Sequence, residues 1–290
     1  MTDIAFVILN YNLYKETLDC VNSIIDNIDT KSFHVFIVDN ASEQEISEKL
    51  EKACASDSRV TLIKNAKNLG FARGNNVGIE AAREINAKFI CCLNNDTLLK
   101  QKDFYHQLEI SYSRGKPAVI GPRIILKDGR TLHFYMEDGR TLEYYENWLN
   151  DLTNDKEDIM TKIKRVLLQN KFIYELHYFR KYRHEKVTAR DDVIINCCCV
   201  IFTPIFFTRL KGFDDRTFMY ADEDLLYISL KKNNLLSRCD PSLMITHLEG
   251  ISTDTSMKSS QQKELFKKQH CINSLKIIIE EMKNLQKQFP

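Results

Sequence analysis

Three short stretches bring chemically capable residues close together: Asn94-Asn95-Asp96, Asp222-Glu223-Asp224 and His247-Leu248-Glu249-Gly250-Ile251-Ser252. An aspartate directly after an apolar run suits Mg²⁺ or Mn²⁺, hard cations that take few protein carboxylates and complete their shell with water and phosphate oxygens. A histidine leaving an apolar run into a polar loop is placed to add a nitrogen ligand. The three successive acids open a segment of helical period, where they complement the helix dipole. Their approach, Gly212 to Tyr220, also carries Phe213, Phe218 and Tyr220. Such aromatics can wall a pocket and raise a carboxylate toward the working range of a general base. Both readings of the acids stand at this point.

These residues need elements to hold them. Apolar runs suited to buried parallel strands occur at Ile4 to Leu9, His34 to Val38, Val60 to Ile63 and Phe89 to Leu93, separated by segments of helical period such as Leu18, Val21, Ile24, Ile25 and Ile28. Right-handed crossovers then bring all four strand ends to one edge of the sheet, where α/β proteins bind ligands. Asn10-Tyr11-Asn12, Asp39-Asn40-Ala41-Ser42, Asn65 to Asn76 and Asn94-Asn95-Asp96 follow the four runs. Asn, Asp and Ser also cap helices and make turns, which accounts for one or two such exits more readily than for four. Further on, Val193 to Thr203 reads as a strand, Asp222 to Lys232 as a helix, Leu243 to His247 as a strand and Lys258 to Gln288 as a lysine-rich helix.

Composition narrows the classes. The 290 residues are 43% hydrophobic and 28% charged, enough for a large α/β domain and unlike a disordered or fibrous chain. Lys and Arg number 41 against 40 Asp and Glu, so no global field draws the chain to nucleic acid. Nine cysteines without a C-x-x-C spacing fit neither a disulfide framework nor a zinc site and read as reduced core residues. The opening MTDIAFVILNYN lacks a basic n-region, and no apolar run approaches the roughly 20 residues of a membrane span, so a cytoplasmic protein is expected.

Between about 144 and 187 the pattern is helical and polar. Lys162, Lys164, Arg165, Lys171, Arg180, Lys181, Arg183 and Lys186 are interleaved there with Phe172, Tyr174, Tyr178, Phe179 and Tyr182. This is either a solvated helical insertion or a basic amphipathic surface for anionic lipid or a polyanionic acceptor.

Taken in order, Val7 to Asn12, Val38 to Ser42, Asn68 to Asn76, Asn94 to Asp96, Gly212 to Glu223 and His247 to Ser252 resemble glycosyltransferase family 2. The likeness is greatest to the branch of rhamnosyl- and galactofuranosyl-transferases of bacterial surface polysaccharides. It implies the GT-A fold, an α/β architecture with a Rossmann-like nucleotide-binding mixed sheet flanked by helices. That domain would span 1–255, carry the insertion at about 144–187, and be followed by a helical extension at 256–290.

The resemblance implies roles for particular residues. Asn10, Tyr11, Asn12, Asp39 and Asn40 would hold the nucleoside, with Tyr11 against the base, and Arg73 would sit near the base or diphosphate. Asn94-Asn95-Asp96 takes the place of the D-x-D motif, with Asn in its first position. Asp96 and His247 would bind Mn²⁺ or Mg²⁺. The general base falls on Glu223 where Asp is more usual, and a shift of one residue gives Asp222 or Asp224. The implied reaction is an inverting transfer of a sugar from a nucleoside-diphosphate sugar to a hydroxyl of a glycan or lipid-linked glycan, with peripheral contact at the inner face of the plasma membrane.

Two other enzyme classes fail on one feature. Sugar nucleotidyltransferases want a glycine-rich phosphate loop after the first strand, and nicotinamide dehydrogenases a G-x-G-x-x-G there, whereas Asn10-Tyr11-Asn12 has no glycine. A non-enzyme alternative, a sugar-nucleotide-binding or scaffolding subunit with a decayed catalytic set, draws on Asn94 and the altered acidic element.

Overall fold

Near-continuous apolar runs form strands buried on both faces, and three such strands with a fourth, Val60–Lys64, build the first half of the sheet; the fourth, expected to be buried too, lies at the sheet's end and is only half-buried or exposed throughout. In the computed structural model, which describes residues 2–127, 129, 131, 132, 135, 136, 140–154, 188–248 and 260–288, these are β1 (Ile4–Asn10), β2 (Phe33–Asp39), β3 (Val60–Lys64) and β4 (Phe89–Asn94). Helices α1 (Tyr14–Asn27), α2 (Gln44–Cys54) and α3 (Phe71–Glu84) connect them. β1 lies between β2 and β4, parallel to both, and β3 extends the sheet beyond β2. The register sets Asn10 opposite Asp39 and Leu9 opposite Asn94, so the strand ends share one edge. Alternation along β1 sends Ile4, Phe6 and Ile8 into one core layer and Ala5 and Val7 into the other.

The second half mixes directions. β5 (Thr97–Leu98), α4 (Phe104–Ser113), β6 (Val119–Leu126), β7 (Thr131–Leu132), β8 (Tyr135–Met136) and α5 (Leu142–Thr153) come next. They are followed by β9 (Arg190–Asp191), β10 (Ile194–Ile195), β11 (Cys199–Phe202), α6 (Asp222–Lys232), β12 (Ser237–His247) and α7 (Ser260–Gln288). The main sheet runs β3-β2-β1-β4-β11-β6-β12-β5, with β7 beside β6 and β9 beside β12. β11 is antiparallel to both β4 and β6, and β12 returns parallel to β6. The expected mixed α/β architecture is present.

Three sequence expectations change in detail. The run Val193 to Thr203 is two strands in different sheets, because Asn196 breaks it: its side-chain carbonyl accepts from Cys198 N at 2.9 Å, and β10 pairs with β8 while β11 pairs with β4. The strand expected at Leu243 begins six residues earlier, at Ser237, and shifts register between Asp240 and Met244, where Pro241 cannot donate to the ladder. The start of the polar segment at about 144 is solvated on one side only, with Tyr144, Glu146 and Asn147 exposed. Tyr145 of α5 is fully buried with Leu225 and Ile228 of α6 and Leu275, Ile278 and Ile279 of α7. The remainder of that segment, including all eight of its basic residues, lies outside the described residues.

The loop before α6 is docked by two glycine-dependent or amide contacts from α3. Asn76 holds the Phe213 peptide from both sides, donating to its carbonyl at 2.9 Å and accepting from its amide at 2.8 Å. Gly70 has φ +80°, and a Cβ there would stand 2.1 Å from the Phe218 carbonyl oxygen, which itself accepts from Phe71 N at 2.7 Å. Gly70→Ala therefore meets both left-handed strain and a backbone collision, and is expected to cost about 2–4 kcal/mol. Gly129→Ala, at φ +84° with nothing among the described residues within 4 Å of the added carbon, supplies the strain alone and should cost about 1 kcal/mol. Urea unfolding of the two variants measures the difference, and equal losses would show that the Phe218 contact is not limiting.

Candidate functional site

The strand ends hold two kinds of polar residue. Asn10 is fully buried, donates to Asp39 Oδ1 at 3.2 Å and Ser42 Oγ at 3.0 Å, and accepts from Leu13 N, Thr17 Oγ1 and Asn95 Nδ2. Asn40 makes all four bonds an amide can make, to Asn68, Gly70, Asn65 and Leu69. Asn95 donates to Asn10 and Thr17. Asn10 and Asn40 spend the hydrogen-bonding capacity of their side chains within the chain, and Asn95 its two amide protons, so all three frame this edge.

Others keep free groups. Asp39 accepts from Asn10 and Ser42 through Oδ1, while its Oδ2 has no partner among the described residues. Asn12 sits at φ +58°, with its Oδ1 on Glu43 N at 2.7 Å and its Nδ2 free among the described residues. The Tyr11 ring is one of three large hydrophobic side chains exposed among the described residues. Asn94 is half-buried, and its side chain has no partner among the described residues. Arg73, expected near the base or diphosphate, is exposed and donates from Nε to the Asp215 carbonyl at 2.7 Å, so it braces the loop before α6.

Asp96 and His247 meet although 151 residues separate them. The antiparallel pairing of β5 and β12 sets Thr97 opposite His247, and Leu248 N donates to the Asp96 carbonyl at 2.9 Å. Asp96 is 1% exposed, and its Oδ1 lies 3.1 Å from His247 Nε2. His247 Nδ1 is buried without a hydrogen-bond partner among the described residues. Two donors at right angles on one octahedral ion, each roughly 2.1 Å from it, stand about 3 Å apart. The pair thus fits a hard divalent cation, and a nitrogen donor favours Mn²⁺ over Mg²⁺. No group of three such ligands occurs among the described residues, so water and a ligand's oxygens would complete the shell.

The acids occupy the first turn of α6. Tyr220 and Ala221 precede them in the left-handed region, at φ +73° and +60°. Two successive non-glycine residues there cost on the order of 1–2 kcal/mol each and persist only where the surroundings enforce them. α7 supplies that enforcement. Ser274 Oγ donates to the Met219 carbonyl at 3.3 Å, Glu281 binds Arg216 at 2.7 Å and also Lys232, and Phe218 stacks on His270 with centroids 4.8 Å apart.

Each acid has a different environment. Asp222 Oδ1 accepts from Thr217 Oγ1 at 2.9 Å, and burial pushes its carboxyl up to about 6. Asp224 Oδ1 accepts from Tyr145 Oη at 2.8 Å and pairs with Arg140, and burial still raises it above the ordinary carboxylate range. Glu223 has no side-chain hydrogen bond or ion pair among the described residues. Burial, then the charges of Asp224 and Asp222, push it up to about 7. Arg140 and Tyr145 were not candidates from the sequence. An arginine and a tyrosine 84 and 79 residues before Asp224 carry no local motif, and only the packing of α5 on α6 reveals them.

Cys198 lies within electrostatic reach of both centres. The Cys198 carbonyl accepts from Asn94 N at 3.0 Å, and the Cys198 thiol is raised by burial and by the charges of both Asp96 and Glu223. Cys197 is raised by burial and next by Glu223. All nine cysteines are free, as expected from the sequence.

An acid raised on folding makes the native state bind more protons than the unfolded one, so its contribution to stability falls as pH rises from about 4 through about 7. Glu223→Gln removes the cost of the buried charge. It should be more stable than the parent at pH 8, by on the order of 1–3 kcal/mol, with the gap closing toward pH 4. Thermal melts across that range test this, and a pH-independent gap would show that Glu223 is not buried as a charge.

The model of Glycosyl transferase family 2 matches residues 5–189. Among solved structures, residues 1–349 of S. aureus TarS align with TM-score 0.54 and 13% identity, covering 99% of this chain and 72% of that one. The same protein in complex with UDP-GlcNAc aligns at 0.54 and 15%, over 90% and 63%. GalNAc-T7 with UDP, GalNAc and Mn²⁺ aligns at 0.58 and 13%, over 87% of this chain and 45% of that one. These identities speak for the fold alone, which is GT-A. No curated protein matches the sequence. With the family model covering well over half of its length, the chain belongs to glycosyltransferase family 2.

Proposed function

We propose that this protein is an inverting, metal-dependent glycosyltransferase that moves a sugar from a nucleoside-diphosphate sugar to a hydroxyl of a glycan or lipid-linked glycan acceptor, in the synthesis of bacterial surface polysaccharide. The observation that carries this reading is that Asp96, which His247 meets, and Glu223, which has no side-chain partner among the described residues, both lie within electrostatic reach of Cys198. One centre suits a diphosphate and the other a proton. TarS and GalNAc-T7, with similar folds, are seen with UDP-GlcNAc and with UDP, GalNAc and Mn²⁺.

Asp39 Oδ2 and Asn12 Nδ2 are the free polar groups that would grip the nucleoside, with the Tyr11 ring as a face for the base. Asp96 and His247 would hold Mn²⁺ or Mg²⁺, whose charge offsets that developing on the leaving diphosphate. Asn94 contributes a neutral amide where a carboxylate would repel the phosphates. Glu223 takes the proton of the acceptor hydroxyl as its oxygen forms a bond to the anomeric carbon and the bond to the diphosphate breaks. A single displacement inverts that carbon. Asp222 and Asp224 are engaged elsewhere, which leaves the base role to Glu223.

Calorimetry with UDP, GDP and dTDP, each with Mn²⁺ and with EDTA, tests the donor site. One nucleotide should bind in a metal-dependent manner, and Asp96→Ala should abolish the dependence. Glu223→Gln should retain that binding and lose about 10²–10⁴-fold in turnover, with inverted product from the parent enzyme. Retained configuration would overturn the mechanism. Nucleotide binding without turnover on any acceptor would favour the decayed, scaffolding subunit, the reading that Asn94 supports.

No helix among the described residues is long and apolar enough to cross a membrane. Peripheral contact through Lys162, Lys164, Arg165 and Arg180, which lie outside the described residues, would bring a cytoplasmic enzyme to a lipid-linked acceptor. Reversing these four charges should abolish co-sedimentation with anionic vesicles, and unchanged sedimentation would discard the contact.

A further inference from the structure

Asp224 is 1% exposed, and its two donors, Arg140 Nη1 and Tyr145 Oη, converge on Oδ1. Oδ2 is buried with no hydrogen bond among the described residues. Arg140 also lies over the Tyr144 ring, 5.4 Å from its centroid. Tyr145 is anchored in the apolar cluster shared by α5, α6 and α7. The carboxylate is therefore fixed from a separate element, one residue beyond Glu223 along α6. A buried ion pair of this kind is a weak source of stability compared with apolar packing, so its presence calls for another use.

We propose that Asp224, pinned by Arg140 and Tyr145, is a positioning residue for Glu223: it holds the first turn of α6 so that, among the described residues, Glu223 alone of the three acids has no side-chain partner. Its negative charge favours the proton-bearing form that Glu223 reaches when it accepts the acceptor's proton. This rests on the reading of Glu223 as the base. Arg140 acts in the opposite sense, its cation favouring the ionised Glu223. The other titratable groups facing Glu223 are Asp222 on the same turn, Cys197 and Cys198 from the turn before β11, and Cys271 from α7. Burial keeps all three thiols protonated, which leaves Asp222, Asp224 and Arg140 as the neighbouring charges.

The opposed signs give a test that needs no substrate. Carboxyl ¹³C NMR of the full chain follows Glu223, its resonance identified by loss in Glu223→Gln. Asp224→Asn, which keeps the shape and the acceptor oxygen for Tyr145, should move the midpoint down by about one pH unit, and Arg140→Gln should move it up by a similar amount. If Arg140→Gln is too unstable to titrate, Arg140→Lys, which keeps the cation, must leave the midpoint in place. A purely structural clamp would, when broken, wet the site and send both variants down toward an ordinary glutamate. That outcome overturns the proposal, as does an unmoved midpoint in Asp224→Asn. Turnover separates the two readings: if Glu223→Gln remains as active as the parent, the base assignment fails, whatever the titration of Glu223 shows.

Discussion

Three carboxylates in one helical turn repel one another, and burying them removes the water that would have screened the repulsion. Each buried charge costs on the order of 1–3 kcal/mol as a shifted proton affinity, and much of the second half of the chain is disposed around that cost. Asp222 is given Thr217, and Asp224 is given Arg140 and Tyr145. Among the described residues Glu223 is given nothing. The turn is further held by two left-handed residues, Tyr220 and Ala221, which would relax if α7 did not grip Met219, Arg216 and Phe218. The expense falls on stability, and what it leaves is one carboxylate with a proton affinity near neutrality.

At the other centre the constraint is register. Parallel pairing of β1 with β2 and β4 brings Asn10, Asp39 and Asn94 to one edge, and antiparallel pairing of β5 with β12 carries His247 to Asp96. A slip of one residue in either pairing would turn these side chains to the opposite face. Buried amides guard against it. Asn10 ties three strand exits together, and Asn40 ties the fourth to the start of α3.

Strands β1 to β4 and the helices between them were legible because apolar runs and helical period alternate without ambiguity there. Their polar exits were legible as a place, less so as roles. An asparagine that frames a site and one that touches a ligand look alike in sequence; the bonds by which Asn10, Asn40 and Asn95 tie the strand exits together are visible only in the structure. Where the pattern is read over a longer apolar stretch, one polar residue suffices to mislead. Asn196 splits 193–203 into strands of two sheets by capping its own turn. Arg140 and Tyr145 were invisible for another reason, since long-range contacts between helices leave no local spacing to read.

The family model ends at residue 189, yet Glu223, His247 and the whole of α7 lie beyond it. The first part of the chain supplies the polar edge at the ends of β1 to β4 and Asp96; the later part supplies the histidine and the acids and must bring them back to that edge. It does so through contacts that each join one half to the other: Asn76 to the Phe213 peptide, Gly70 against the Phe218 carbonyl, Asn94 to the Cys198 carbonyl, and Arg140 with Tyr145 to Asp224. Apart from the last pair, these contacts are made to the backbone, which any side chain at 198, 213 or 218 would still present. The chemistry on α6 is thereby free to differ, as a glutamate between two aspartates does here, while the edge that receives it stays the same.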